Sequence, residues 1–225
     1  MAAAVAAAAT AASSEEVLDQ LFGALADPTR RALLGSLAAL TVTGLAACSR
    51  EARPSFKSVD VTGASYGQRL SLPDVNGHVR TLADFKGKLT VVFFGYTQCP
   101  DVCPTTLSAL VETKRLLGPD GDKLQAVFIT IDPGRDTPQL LQAYVGAFDP
   151  GFVALRGNLD ETADTAKEFK VFYRRVDGKT PDSYTMDHTA ASYVFDPQGR
   201  LRLYVRHDIP PADLAADLRT LLKGA

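Results

Sequence analysis

The stretch KLTVVFFGYTQCPDVCP, residues 88–104, decides the fold. Its first nine residues, Lys88 to Tyr96, form a continuous apolar run rich in β-branched and aromatic side chains, which predicts a central strand covered on both faces. The rest carries Cys99 and Cys103, two of only three cysteines in the chain. A helix is expected to begin near Cys103, since Pro104 is well tolerated in a first turn. The thiols therefore sit in a strand-to-helix turn at the carboxyl end of a core strand, where sites in α/β sheets gather.

Working outward, Leu124 to Ile131 reads as a second core strand, and Thr137-Pro138 opens a helix carrying Leu141, Tyr144 and Val145. A strand near Phe152 to Leu155 and a helix over Asp160 to Phe169 follow. Val171 to Val176 and Ala191 to Phe195 read as strands, and the turn Asp196-Pro197-Gln198-Gly199 leads into Arg200 to Arg206. Leu214, Leu218, Leu221 and Leu222 give a last helix one apolar face. On the N-terminal side, Leu70 to Leu72 and His78 to Leu82 flank Asn76-Gly77, a hairpin signal. The order predicts an α/β fold, a mixed central sheet flanked by helices, with an added N-terminal hairpin.

The chain has 225 residues and a net charge of −2. Residues 1–47 hold two of the 24 basic and four of the 26 acidic residues, leaving 22 of each sign in the remainder. That balance gives no electrostatic reason to expect nucleic acid as a partner. After Arg30-Arg31 come sixteen uncharged residues, Ala32 to Ala47, a length suited to a signal peptide and too short for a comfortable membrane span. The run ends on Leu45-Ala46-Ala47-Cys48, which resembles the lipobox of bacterial lipoproteins, with Cys48 as the lipidated residue. Thr29 to Leu34 resembles a twin-arginine export motif. Residues 1–47 are thus read as a leader, 48–55 as a linker and 56–225 as the domain. Residues 1–28 fit a signal poorly and are expected to be disordered or loosely helical, or to follow from a start assigned too far upstream. Residues 21–34 resemble the opening helices of ArsR-type repressors, but no recognition helix follows.

Thiols four residues apart at a helix start face one point in space. The helix N-terminus favours the thiolate, the species that binds soft metals and attacks disulfides. A structural disulfide would close a very short loop and constrain little of the unfolded chain. Structural zinc wants four ligands, and no second cysteine pair exists. Two thiolates and an imidazole suit Cu(I), and the imidazole must come from His78, His188 or His207. His78 adjoins the Asn-Gly turn and reads as solvated. His207 ends a strand beside Asp208 and reads as a surface residue, while His188 lies in a polar loop ahead of the strand Ala191 to Phe195.

Phe94-Gly95-Tyr96-Thr97 with Cys99-Pro100-Asp101-Val102-Cys103-Pro104 resembles the signature of Sco/SenC proteins. The match runs on through Thr130-Ile131-Asp132-Pro133 and Arg135-Asp136-Thr137-Pro138 to Asp187-His188 and Tyr193 to Asp196. It covers about residues 55 to 224. The resemblance implies a thioredoxin-like fold that holds one copper ion through Cys99, Cys103 and His188. It also implies delivery of copper to the binuclear centre of cytochrome c oxidase subunit II. Asp132 becomes a candidate beside the ligands, and Arg135 and Asp136 are expected to form a structural pair. Reduced cysteines in an oxidising compartment call for a thioredoxin-like reductant and an upstream periplasmic copper donor. The expected location is the periplasmic face of the bacterial inner membrane, tethered by lipid. The competing reading is an exported thiol–disulfide reductase, although the spacing is not CxxC. A peroxidase is disfavoured because no threonine stands three residues before either thiol.

Overall fold

The computed structural model describes residues 54–180 and 183–224. The leader, Cys48 and most of the linker lie outside these residues. The chain enters through β1 (Val59–Asp60) and makes the expected hairpin of β2 (Ser71–Pro73) and β3 (Val79–Thr81). β4 (Leu89–Gly95) is buried along its whole length, as its unbroken apolar run requires. Helix α1 (Val102–Leu117) carries the chain back to β5 (Leu124–Thr130), which pairs parallel with β4. Helix α2 (Pro138–Gly146) leads to β6 (Val153–Leu155), and α3 (Leu159–Glu168) follows.

Two strands, β7 (Tyr173–Asp177) and β8 (Tyr184–His188), then pair with each other in a sheet of their own. The chain returns to the main sheet as β9 (Ala191–Phe195) and β10 (Leu201–Arg206) and ends in helix α4 (Pro211–Leu222). The central sheet has the order β1-β10-β9-β4-β5-β6. β4, β5 and β6 run parallel, while β9 joins β4 antiparallel. This is a mixed sheet flanked by helices, in a thioredoxin-like arrangement.

Helix starts follow local chemistry. At α2 the Thr137 side chain accepts the Leu140 N–H, with Pro138 in the first turn. At α3, Asn158 and Glu161 form a reciprocal capping box. The last helix is tied to the residues just before the first strand by one carboxylate. Asp217, almost fully buried on α4, accepts the backbone N–H groups of Lys57 and Ser58, each at 2.8 Å.

Alternation along β4 divides the core. Phe94 packs into an aromatic cluster with Phe169 and Tyr193, at centroid distances of 5.3 and 6.4 Å. Phe93, on the opposite face, meets Phe128 at 5.9 Å and the His188 ring at 6.2 Å. One face of the central strand thus forms a hydrophobic core, and the other supports a polar site.

Two expectations need correction. The segment read as a strand from Val171 begins at Tyr173, and it belongs to the separate β7–β8 hairpin. His188 is no loop residue: it is the last residue of β8, paired across the ladder with Tyr173. Its stretch looked like a loop because only every second residue, Tyr184, Met186 and His188, turns toward the domain, while Thr185 and Asp187 are exposed.

Candidate metal centre

Cys99 lies in the turn after β4, where its N–H reaches the Tyr96 carbonyl at 3.2 Å. Cys103 occupies the first turn of α1 and is buried, whereas Cys99 is half-buried. The Cys103 N–H points at Sγ of Cys99, 3.4 Å away. This is the helix N-terminus acting on sulfur as the spacing predicts. β4 ends on Gly95, whose missing side chain leaves room for the Cys103 sulfur against the Phe128 ring. His188 arrives from the hairpin and places Nε2 3.8 Å from Sγ of Cys103. The three ligand atoms all lie within 4.8 Å of one another. No other set of three such side chains converges in this way among the described residues.

The imidazole is held in one tautomer. Nδ1 lies 3.0 Å from the Thr189 carbonyl. A carbonyl can only accept, so Nδ1 carries the hydrogen and Nε2 turns its lone pair to the sulfurs. Tyr96 and Phe93 meet the ring edge-on, each at 6.2 Å.

The two thiols are electrostatically unequal. The Cys103 S–H donates to Cys99, and despite partial burial this lowers the Cys99 pKa to about 3, with the N–H groups of Asp101 and Cys103 adding to the effect. The same hydrogen bond, together with burial, pushes Cys103 far above the ordinary thiol range. Without metal the pair holds one thiolate, on Cys99, and one proton, on Cys103.

The other histidines do not join them. His78 is exposed and stands 3.8 Å from Asp74. His207 is half-buried rather than a plain surface residue: its Nδ1 lies 3.4 Å from the Thr106 hydroxyl on α1, while Asp208 pairs with Arg206.

The segment after β5 also departs from expectation. Arg135 and Asp136 do not pair. Arg135 binds Asp132. Asp136, fully buried, accepts from the hydroxyls of Thr130 and Thr97 at 2.5 Å each and from the Thr97 N–H. Burial raises its pKa against the pull of those hydrogen bonds. Asp132 makes no hydrogen bond to a ligand among the described residues. It accepts from the Tyr184 hydroxyl at 2.8 Å and from Arg135. Sequence reasoning missed Tyr184. The signal was the alternation Tyr184, Met186, His188 in a segment taken for a loop.

The profile of the SCO1/SenC family matches residues 59–223. The chain belongs to that family. Among its relatives is an SCO2-like protein of Rickettsia conorii, 38% identical over 68% of this chain and 75% of the relative. Bradyrhizobium japonicum ScoI, solved with copper bound, is 42% identical with a TM-score of 0.63, covering 70% of this chain and 99% of that one. Yeast Sco1, also solved with copper bound, is 29% identical with a TM-score of 0.66, covering 72% and 91%.

Proposed function

We propose that the domain binds one copper ion through Cys99, Cys103 and His188 and passes it to the binuclear copper centre of cytochrome c oxidase subunit II. The observation that carries this reading is the convergence of two sulfurs and one imidazole nitrogen within 4.8 Å, with Nε2 free to donate. Soft thiolates with one imidazole suit Cu(I), which accepts low coordination numbers. Membership of the family supports the role. BsSco, at 19% identity a guide to the fold alone, is described as a member of the Sco family of cytochrome c oxidase assembly proteins.

Loading has a simple proton balance. The ion meets the Cys99 thiolate, and the Cys103 proton leaves as the second sulfur becomes a ligand. Because Cys99 and His188 are only half-buried, an acceptor thiolate or imidazole can reach the ion and replace the protein's ligands one at a time. Both sulfurs must be reduced beforehand, which calls for a thioredoxin-like reductant as well as a copper donor. The domain would work at the periplasmic face of the inner membrane, tethered through lipidated Cys48. None of the helices among the described residues is long and apolar enough to cross a membrane. Mass spectrometry of membrane-extracted protein tests the tether, and an unmodified Cys48 would rule it out.

The low pKa of Cys99 favours one second reading, a thiol–disulfide reductase. The Cys99 thiolate would attack a substrate disulfide, and Cys103 would resolve the mixed disulfide, leaving the pair oxidised and the substrate reduced. His188 has no necessary part in that exchange. The test is therefore Cu(I) titration of the reduced protein beside its His188→Ala variant. One ion per domain, held at least about 100-fold more weakly by the variant, supports the copper reading. Unchanged affinity together with substantial disulfide reductase activity rejects it.

A further inference from the structure

The third ligand stands on a hairpin that shares no ladder with the central sheet. Something other than sheet pairing must fix the imidazole over the thiols. The inward face of β8 touches the domain at three places, two residues apart, as strand alternation requires. His188 lies against Cys103, Met186 packs on the core, and Tyr184 meets the loop after β5.

The third contact is the most elaborate. The Tyr184 ring is sandwiched between two guanidinium groups, with Cζ of Arg135 at 3.4 Å and Cζ of Arg175 at 3.9 Å from its centroid. Its hydroxyl donates to Asp132, and its carbonyl accepts from Nη1 of Arg135 at 2.9 Å. Asp132 and Arg135 bind each other, and Arg135 also reaches Gln98, the residue before the first thiol, at 3.1 Å. One closed network thus joins the hairpin, the loop after β5 and the thiol turn. A ring stacked on cations and hydrogen-bonded at its hydroxyl, on a residue whose backbone carbonyl is bound as well, has little freedom left.

We propose that Tyr184 is a positioning residue: clasped by Arg135, Arg175 and Asp132, it holds the β7–β8 hairpin in the placement that sets His188 against Cys103. Asp132 acts on the site through Tyr184 rather than by touching a ligand. The inference rests on the copper reading for its consequence and on the apo geometry for its substance, so the two can fail separately.

The test uses the reduced full-length chain with Tyr184→Ala, Tyr184→Phe and His188→Ala, alone and with Tyr184→Ala and His188→Ala combined. In the metal-free protein, the His188 ring protons report their place beside Tyr96 and Phe93 through ring-current shifts. Tyr184→Ala should move those resonances toward ordinary histidine values. It should also speed amide exchange in 184–188 at least about tenfold while β4 and β5 stay protected. Tyr184→Phe keeps the stacked ring but loses the bond to Asp132, and should move the His188 resonances part-way toward their Tyr184→Ala positions. With Cu(I), Tyr184→Ala should weaken binding about 10- to 100-fold and add nothing in the His188→Ala background. Unmoved His188 resonances in a folded Tyr184→Ala protein would overturn the proposal. So would an equal affinity loss with and without His188. Loss of β4 and β5 protection in Tyr184→Ala transfers the decision to Tyr184→Phe, whose His188 resonances must then shift part-way; if they stay put, the clasp is refuted. A wild type that binds no Cu(I) refutes the copper reading and leaves the resonances to decide the clasp.

Discussion

The side chain that Gly95 lacks would stand 2.7 Å from Sγ of Cys103. It would also lie 2.8 Å from the Phe128 ring. Neither neighbour can yield easily, because the sulfur is held in the first turn of α1 and the ring is buried against Phe93 and Tyr144. Gly95→Ala is therefore expected to cost about 1–3 kcal/mol of stability, the range for overpacked cores. It should also weaken Cu(I) binding, since the sulfur must move. Denaturant unfolding and Cu(I) competition check the two effects, and a variant with wild-type values in both would contradict this geometry.

The inequality of the thiols predicts their reactivity. Cys99 is a thiolate from about pH 3 upward, and Cys103 keeps its proton through neutrality. Alkylation of the reduced, metal-free protein should label Cys99 first, at a rate nearly flat between pH 5 and pH 8. An ordinary thiol, with a pKa near about 8.5, would instead react roughly tenfold faster per pH unit across that range. Peptide mapping of the labelled site over the pH series distinguishes the two.

Asp136 imposes a pH dependence of the opposite kind. Burial raises its carboxyl pKa above the unfolded value, so the folded state holds the proton more tightly. Its contribution to stability is full below the unfolded pKa and declines as pH rises through the folded one. Asp136→Asn removes that decline. The stability of the variant relative to wild type should improve steadily as pH rises from about 4, and a difference independent of pH would count against a strained carboxylate.

Asp217 supplies a prediction remote from the site. Replacing it with alanine leaves the Lys57 and Ser58 N–H groups without their acceptor. A loss of about 1–3 kcal/mol is expected, with faster amide exchange at residues 57 and 58 as the local signature. Unchanged exchange there would mean that the tie carries no weight.

The parts legible in the sequence share one property: their signals are local. The unbroken run of β4, the Thr137-Pro138 helix start and the Asn76-Gly77 turn each declare themselves within a few residues. The thiol pair was legible for the same reason, whereas the distant His188 was one of three candidates until family resemblance singled it out. What escaped depends on pairing across long separations. The β7–β8 hairpin carries its ladder on polar residues, with Arg174 and Asp187 paired in solvent, so its alternation was faint. Arg135 was assigned to its neighbour Asp136 because proximity in sequence is a poor guide once a turn sends adjacent side chains apart. The Asp136 hydroxyl cage draws on Thr97 and Thr130 from two different strand ends, which no single window contains.

The register of the hairpin has a last consequence. Tyr173 faces His188 and Asp177 faces Tyr184, so the position of the imidazole is counted from the ladder. Strand side chains alternate with a period of two, and one residue inserted between Tyr184 and His188 would turn the imidazole to solvent while leaving every ligand in the sequence. Two inserted residues would restore its face but displace it by about 7 Å along the strand. Length variation in this segment is therefore not neutral spacing: a relative can keep both cysteines and the histidine and still lack the site if the count between tyrosine and histidine is broken.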